Sequence, residues 1–362
     1  MDLRPKRIDW YIFKKYMTTF FIAILLIIGI VIIFDISEKI DKFVDNQAPL
    51  NEVIFKYYLN FIPYFMNMYS SMFVFISVIF FTSRMAANSE IIAILSGGVS
   101  YHRMMVPYFA ASILIALLSL CLSLFVIPKA NVQRLDFEKQ YVKNKTEILH
   151  DLHYQIAPGQ FVFAESFSSW SNTAYRFTLE EIEDNRIVSK LSAETAVWDS
   201  VACCWRLNKY FIRDYTEGMS DNVRTGSQLD TTIALTVDDF YRNKQSVQKL
   251  VQGDLNEMIR VQKMRGDSNV MYAQIEKHNR WAMPFSSIIL AIMGVALSSK
   301  KKRGGTGWNL AVGIALAFSY ILFQRFAQMF VFTGILPPGF AIWTPNILFT
   351  FIAAYLYKIA PK

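Results

Sequence analysis

Hydrophobic and polar positions follow two different rhythms along the chain. The first third and the last quarter carry long apolar runs separated by short charged joints, and the stretch between them is polar and alternating. An uncharged run of about 19 residues over 16–34 is long enough to cross a bilayer. Comparable runs at 59–82, 106–127, 281–299, 308–332 and 341–357 predict five more crossings. Pro63 falls near the start of the second, where a helix tolerates proline best.

The joints orient these spans. Arg4, Lys6, Arg7, Lys14 and Lys15 precede the first, His102 and Arg103 precede the third, and Lys300-Lys301-Lys302-Arg303 follows the fourth. Basic flanks collect on the cytoplasmic side. Both termini are therefore expected in the cytoplasm, with Lys358 and Lys362 after the sixth span. The mostly acidic loop from Asp35 to Lys56 is expected on the far side, and the third span is expected to stop at Pro128-Lys129. A secretory signal peptide fits the first run poorly, because it ends on Ile32-Ile33-Phe34-Asp35 with no small-residue cleavage site.

Between the two sets of spans, period-two alternation predicts strands at 160–165, 175–179, 195–198, 205–211 and 231–237, with turns at Asn185 and Asp199-Ser200. Short strands without intervening helices indicate a sandwich or barrel. From Asp254 to Met264 the period becomes helical, on Leu255, Met258, Ile259 and Gln262. The organisation expected is residues 1–130 with spans one to three, 131–278 as an extracytoplasmic β domain with a helical connector, and 279–362 with spans four to six.

One short stretch, 88–98, lies between the second and third spans and reads as a capped amphipathic helix. Asn88 or Ser89 can accept the free N–H groups at its start, and Gly97-Gly98 supplies a left-handed stop. Ile91, Ile94 and Leu95 share one face, and Glu90 lies in the first turn, where the helix dipole favours a carboxylate. Such a helix either docks onto a cytosolic partner or is an ordinary interfacial loop with a capping glutamate.

Composition agrees with a membrane protein carrying an aqueous domain: 53% hydrophobic, 15% aromatic and 18% charged, over 362 residues. The net charge of +8 sits beside apolar runs and so marks topology rather than a nucleic-acid surface. Cys121, Cys203 and Cys204 have no metal-site spacing. His150 and His153 could share a face only on a helix, and they lack further ligands. Gly304-Gly305-Thr306-Gly307 lacks the Gly-Lys-Ser/Thr signature and a preceding strand, so it reads as a tight turn. No catalytic constellation, nucleotide loop or cofactor site emerges. Any energy for transport must come from a partner.

Two groups of charges invite a lipid. Arg325 lies nine residues before Gly334, about 13 Å inside the fifth span at helical rise. It either snorkels or faces a cavity, a partner or a headgroup. Lys39 and Lys42, just past the first span, either pair locally with Asp35 and Glu38 or meet the acidic groups of an amphipathic lipid.

Three features together resemble the LptF/LptG (YjgP/YjgQ) permeases of the lipopolysaccharide exporter. They are Ser83-Arg84-Met85-Ala86 leading through Ser89-Glu90-Ile91-Ile92 to Ser96-Gly97-Gly98, Gly334-Ile335-Leu336-Pro337-Pro338 followed by Trp343-Thr344-Pro345-Asn346, and three-plus-three spans around a β domain. The resemblance implies an inner-membrane permease that is not itself an enzyme and needs no cofactor. It would pair with its paralogue (LptF or LptG) above an LptB ATPase dimer and hand lipopolysaccharide to the periplasmic LptC and LptA. It implies a periplasmic β-jellyroll, lateral gates at spans one and five, and ATPase coupling through Glu90 and its helix, with Ser89, Ile91, Ile94, Gly97 and Gly98. The family pattern assigns no counterpart to Lys39, Lys42 or Arg325.

Joined to the residue-level reading, this gives acyl chains against Phe323, Phe326 and Phe330 and phosphates against basic residues at the rim, with Lys39, Lys42 and Arg325 as the lipid-binding candidates. A lipoprotein-releasing or MacB-like permease would have fewer spans and its large domain after the first. A non-transporting scaffold would leave the Glu90 loop as a mere turn.

Overall fold

The computed structural model describes residues 6–142, 148–184, 186–215, 222–237, 244–264, 269–299 and 305–360. Asn185, Lys300-Lys301-Lys302-Arg303, Gly304 and Lys362 lie outside the described residues. The chain divides into two compact units, Met1–Phe137 with Gln274–Lys362, and Glu138–Ala273.

The first unit is helical. Six of its helices are long and apolar enough to cross a membrane: α1 (Arg7–Asp45), α2 (Leu50–Ala87), α4 (Tyr101–Val142), α6 (Val270–Ser298), α7 (Gly305–Phe332) and α8 (Pro338–Ile359). A seven-residue helix, α3 (Glu90–Ser96), joins α2 to α4.

Two of these helices outrun the expected spans. The 39 residues of α1 correspond to about 58 Å, roughly twice the hydrocarbon thickness. Asp35, Lys39 and Lys42 therefore ride on helix, where the sequence suggested a loop. Helix α4 likewise continues through Pro128 to Val142 instead of stopping there, with a π-helical turn at Leu122–Val126 just ahead of the proline.

Packing is organised by α2. One face presents Phe73, Val74 and Val78 to a core shared with Tyr16, Phe20 and Ile24 of α1, Met104 and Tyr108 of α4, and Ala291 and Val295 of α6. The other presents Phe75 and Ile79 to Leu290 and Met293 of α6, Ala317 and Tyr320 of α7, and Phe349 and Ala353 of α8. Small residues allow the close approach: a Cβ on Gly313 of α7 would lie 2.1 Å from the Ile79 Cδ1. Hydrogen bonds across helices complete the packing. Tyr320 donates to Asn346 Oδ1 at 2.8 Å, Asn346 donates to the Ala282 carbonyl at 2.8 Å, and Ser119 donates to Asn67 at 2.6 Å.

Coverage is uneven. Across the apolar windows of α2 and α6, 56% and 61% of positions are buried, against 11% for α1 and 22% for α7. The first and fifth spans are the two that this chain leaves most uncovered.

The second unit holds β1 (Ile148–Ala157), β2 (Gln160–Ser168), β3 (Thr173–Glu183), β4 (Arg186–Asp199), β5 (Cys204–Asp214) and β6 (Asn222–Thr231). They form one antiparallel sheet in the order β1-β2-β3-β4-β5-β6, the β-jellyroll-like insertion expected. Val162, Phe167, Phe177, Trp205 and Leu207 build its apolar face. The stretch 231–237 is not the strand its alternation suggests. Only Thr231 belongs to the ladder, while Ile233, Leu235 and Val237 pack on the apolar face and the Leu235 carbonyl accepts the Trp205 indole N–H at 2.7 Å. Burial against the sheet produced that period without strand pairing.

Two strands carry little sequence signal. In β1 the adjacent polar residues His150 and Asp151 interrupt the alternation, and Asp151 has φ 54°. His150 and His153 are therefore on a strand and not on the helix that a shared-face metal pair would need. The His153 ring rests against Phe163. β6 is polar because it is an edge strand. Its Gly226 leaves room for the Tyr210 ring, which would stand 2.6 Å from an added Cβ. After the sheet, α5 (Gln252–Met264) buries Leu255 and Ile259 against Val247 and Ala273.

Candidate functional site

The connection from α2 into α3 is made in two residues, Asn88 and Ser89. Ser89 takes the left-handed conformation, φ 63° and ψ 12°, and its side chain does not cap α3. The expected cap is thus not made by Ser89, and the Asn88 amide donates to the Glu90 carboxylate. A tight reversal needs one left-handed residue, and in that conformation the hydroxyl is not aimed at the first free amides. The other end behaves as the glycines suggest. Gly98 has φ 83°, its N–H donates to the Leu95 carbonyl at 3.1 Å, and the Val99 N–H donates to the Ile94 carbonyl at 3.4 Å. This is the paired Schellman closure.

Helix α3 is fixed to the helical core by its apolar face. Ile91 is 1% exposed, and Ile94 and Leu95 pack against the same cluster. These side chains are anchors, turned into the helical unit. The outward face carries Ile92, 52% exposed, with Ala93 and Ser96. Ile92 was not singled out by sequence, although an isoleucine opposite the Ile91–Ile94–Leu95 stripe is itself the signal.

Glu90 is half-buried, and its two oxygens are used differently. The Tyr11 hydroxyl of α1 donates to Oε2 at 2.9 Å, and the Asn88 amide donates to Oε1 at 3.3 Å. Lys15 in turn donates to the Tyr11 hydroxyl and stacks over its ring at 4.3 Å. Close by, Arg103 at the start of α4 forms a largely buried ion pair with Asp9 of α1. His102 and Tyr357 are hydrogen-bonded, joining α4 to the end of α8. Neither Tyr11 nor Asp9 could be tied to Glu90 or Arg103 from sequence, because the partners are 79 and 94 positions apart.

The lipid-facing candidates occupy two helices. On α7, Arg325 is exposed and makes no ion pair or hydrogen bond among the described residues. It shares the uncovered side with Phe326 and Phe330, 55% and 42% exposed, while Phe323 is half-buried. On α1, Lys39 is not free: it pairs with Asp35 at 2.6 Å and reaches the Tyr57 hydroxyl. Tyr57 and Tyr58 also donate to the Asp35 carboxylate, at 3.0 and 3.1 Å. Lys42 is exposed, one turn further on.

Six helices long and apolar enough to cross a membrane, an inserted antiparallel sheet and a short helix bearing one carboxylate between the second and third of them define a multi-pass membrane protein. The family described as lipopolysaccharide export system permease LptF/LptG matches residues 10–359, nearly the whole chain, and the chain belongs to that family. No curated protein matches the sequence.

Proposed function

We propose that the chain is the permease subunit of an ATP-driven exporter that extracts lipopolysaccharide from the inner membrane and passes it to a periplasmic bridge. In this reading ATP is hydrolysed on a separate LptB dimer, a paralogous permease completes the transmembrane cavity, and LptC and LptA receive the lipid beyond the β unit. Both termini and α3 face the cytoplasm, and the sheet lies in the periplasm. The observation that carries the reading is the uneven coverage of the spans: α1 and α7 are left largely bare, as lateral gates and a subunit seam require.

Force enters at α3. The partner ATPase meets its outward face beside Glu90, and the anchors Ile91 and Ile94 turn a push on the helix into displacement of the span core. The Tyr11 hydroxyl on Glu90 passes part of that displacement directly to α1, one of the two uncovered spans. Lipid acyl chains then lie against Phe323, Phe326 and Phe330. Arg325, which has an unmet charge inside the apolar segment, takes a phosphate. Lys42 offers a second contact at the rim, and Lys39 joins only when a competing anion draws it from Asp35.

Purification with the native partners tests this. An ATPase should co-isolate and be lost on Glu90→Lys, and a photocrosslinker at Phe326 should capture lipopolysaccharide. Full coupling in Glu90→Lys refutes the role of Glu90. Labelling of bulk phospholipid alone refutes the cavity.

A further inference from the structure

A cavity of about 520 Å³ opens between the N-terminal part of α1 and the end of α2, next to Glu90. Its walls include Lys14, Lys15, Arg84, Phe80 and Phe81. Three cations thus stand against one carboxylate, and that carboxylate already accepts from Tyr11 and Asn88. The side chains of Lys14 and Arg84 have no ion pair or hydrogen bond among the described residues.

The two walls are graded in the same direction. On α2, Phe80 is one turn deeper in the apolar segment than Arg84 and is 48% exposed. On α1, Thr18 and Thr19 lie one turn beyond Lys14 and Lys15, and the exposed Phe21, Ile22 and Leu25 follow. Positive charge therefore rings the mouth at the level where the apolar spans begin, hydroxyls lie below it, and hydrocarbon continues inward. Basic flanks beside apolar surface mark many span ends; here Lys14, Lys15 and Arg84, from two helices, line one cavity with a single carboxylate. A lipid presents that order of chemistry: phosphate, glycerol ester, acyl chain.

We infer that this cavity is a binding site for an anionic glycerophospholipid of the adjoining leaflet, with its phosphate held by Lys14, Lys15 and Arg84 and one acyl chain lying along Phe80. The excess of positive charge selects an anionic headgroup over a zwitterionic one. The inference needs only the membrane-spanning fold, so it stands or falls apart from the transport reading.

Native mass spectrometry of the full chain with its partners tests it, after release from phosphatidylcholine nanodiscs containing either phosphatidylglycerol or phosphatidylethanolamine. Retention of phosphatidylglycerol is expected to exceed that of phosphatidylethanolamine. It should fall at least about threefold in Arg84→Gln and further in Lys14→Gln/Lys15→Gln/Arg84→Gln, a fall that loss of one to three charge-assisted contacts to phosphate accounts for. Arg84→Lys should restore most of it, and Phe80→Ala should weaken retention of both lipids. Equal retention by wild type and the charge variants overturns the site, as does equal retention of the two lipids. Loss of a co-purifying ATPase with lipid retention unchanged also overturns it and assigns the three cations to a protein contact.

Discussion

The Tyr11 hydroxyl of α1 donates to Glu90 Oε2 of α3 across 2.9 Å, joining a sparsely covered span to the short helix between spans two and three. A neutral donor on a carboxylate contributes on the order of 1 kcal/mol net at a partly exposed position. Tyr11→Phe deletes the donor and keeps the ring. The expected result is ATP hydrolysis near the wild-type rate with lipopolysaccharide release per ATP reduced about fivefold, measured in proteoliposomes. Unchanged release per ATP would remove Tyr11 from the path.

Ile91 and Ile92 are neighbours with opposite surroundings, one 1% and the other 52% exposed. Ile91→Ala should destabilise the helical unit by about 2 to 4 kcal/mol through a cavity, seen as a lowered melting temperature in detergent. Ile92→Asp should leave the melting temperature alone and weaken ATPase association. If the two phenotypes are exchanged, the orientation of α3 is wrong.

Gly313 lies where α7 meets α2, and an added Cβ there would stand 2.1 Å from Ile79 Cδ1. Gly313→Val is expected to cost about 1 to 3 kcal/mol by overpacking, with part of the loss recovered in Gly313→Val/Ile79→Ala. Thermal unfolding of the single and double variants reads this directly. No rescue by the second change would mean the strain lies elsewhere.

In the β4–β5 turn the Asp199 carboxylate accepts the Ala202 and Val201 amides at 3.1 and 2.9 Å, and these bonds, with Arg206 nearby, hold its pKa below the usual aspartate value. Since the folded pKa is the lower one, the stabilisation is complete above the unfolded-state pKa and is lost as pH falls through the folded value. Hydrogen exchange at 200–204, corrected for intrinsic rate, should therefore quicken as the medium becomes acidic. Asp199→Asn should flatten that dependence. A wild-type profile without a pH step would contradict the turn geometry.

Six spans and a β insertion could be read from the pattern because burial in lipid and burial in a sheet impose different periods over long windows. What escaped had a local cause. α1 continues to Asp45 because Asp35, Lys39, Tyr57 and Tyr58 satisfy one another on helix, so charge there did not mean loop. Segment 231–237 alternates because it lies against Trp205, not because it pairs. Glu90 was recognisable from its place in a capped stretch between spans. Its partner Tyr11 was not, since a hydroxyl on an N-terminal helix carries no mark of what it will touch.

Helix α2 serves two cores at once, with Phe73, Val74 and Val78 turned one way and Phe75 and Ile79 the other. Over 73–79 this helix has no idle side onto which an error could be rotated. Removing one residue upstream of Phe73 would turn everything beyond it by about 100° and misdirect both sets of side chains together. The bundle thus turns on the helices that both cores share, α2 and, through Ala291 and Val295 on one side and Leu290 and Met293 on the other, α6.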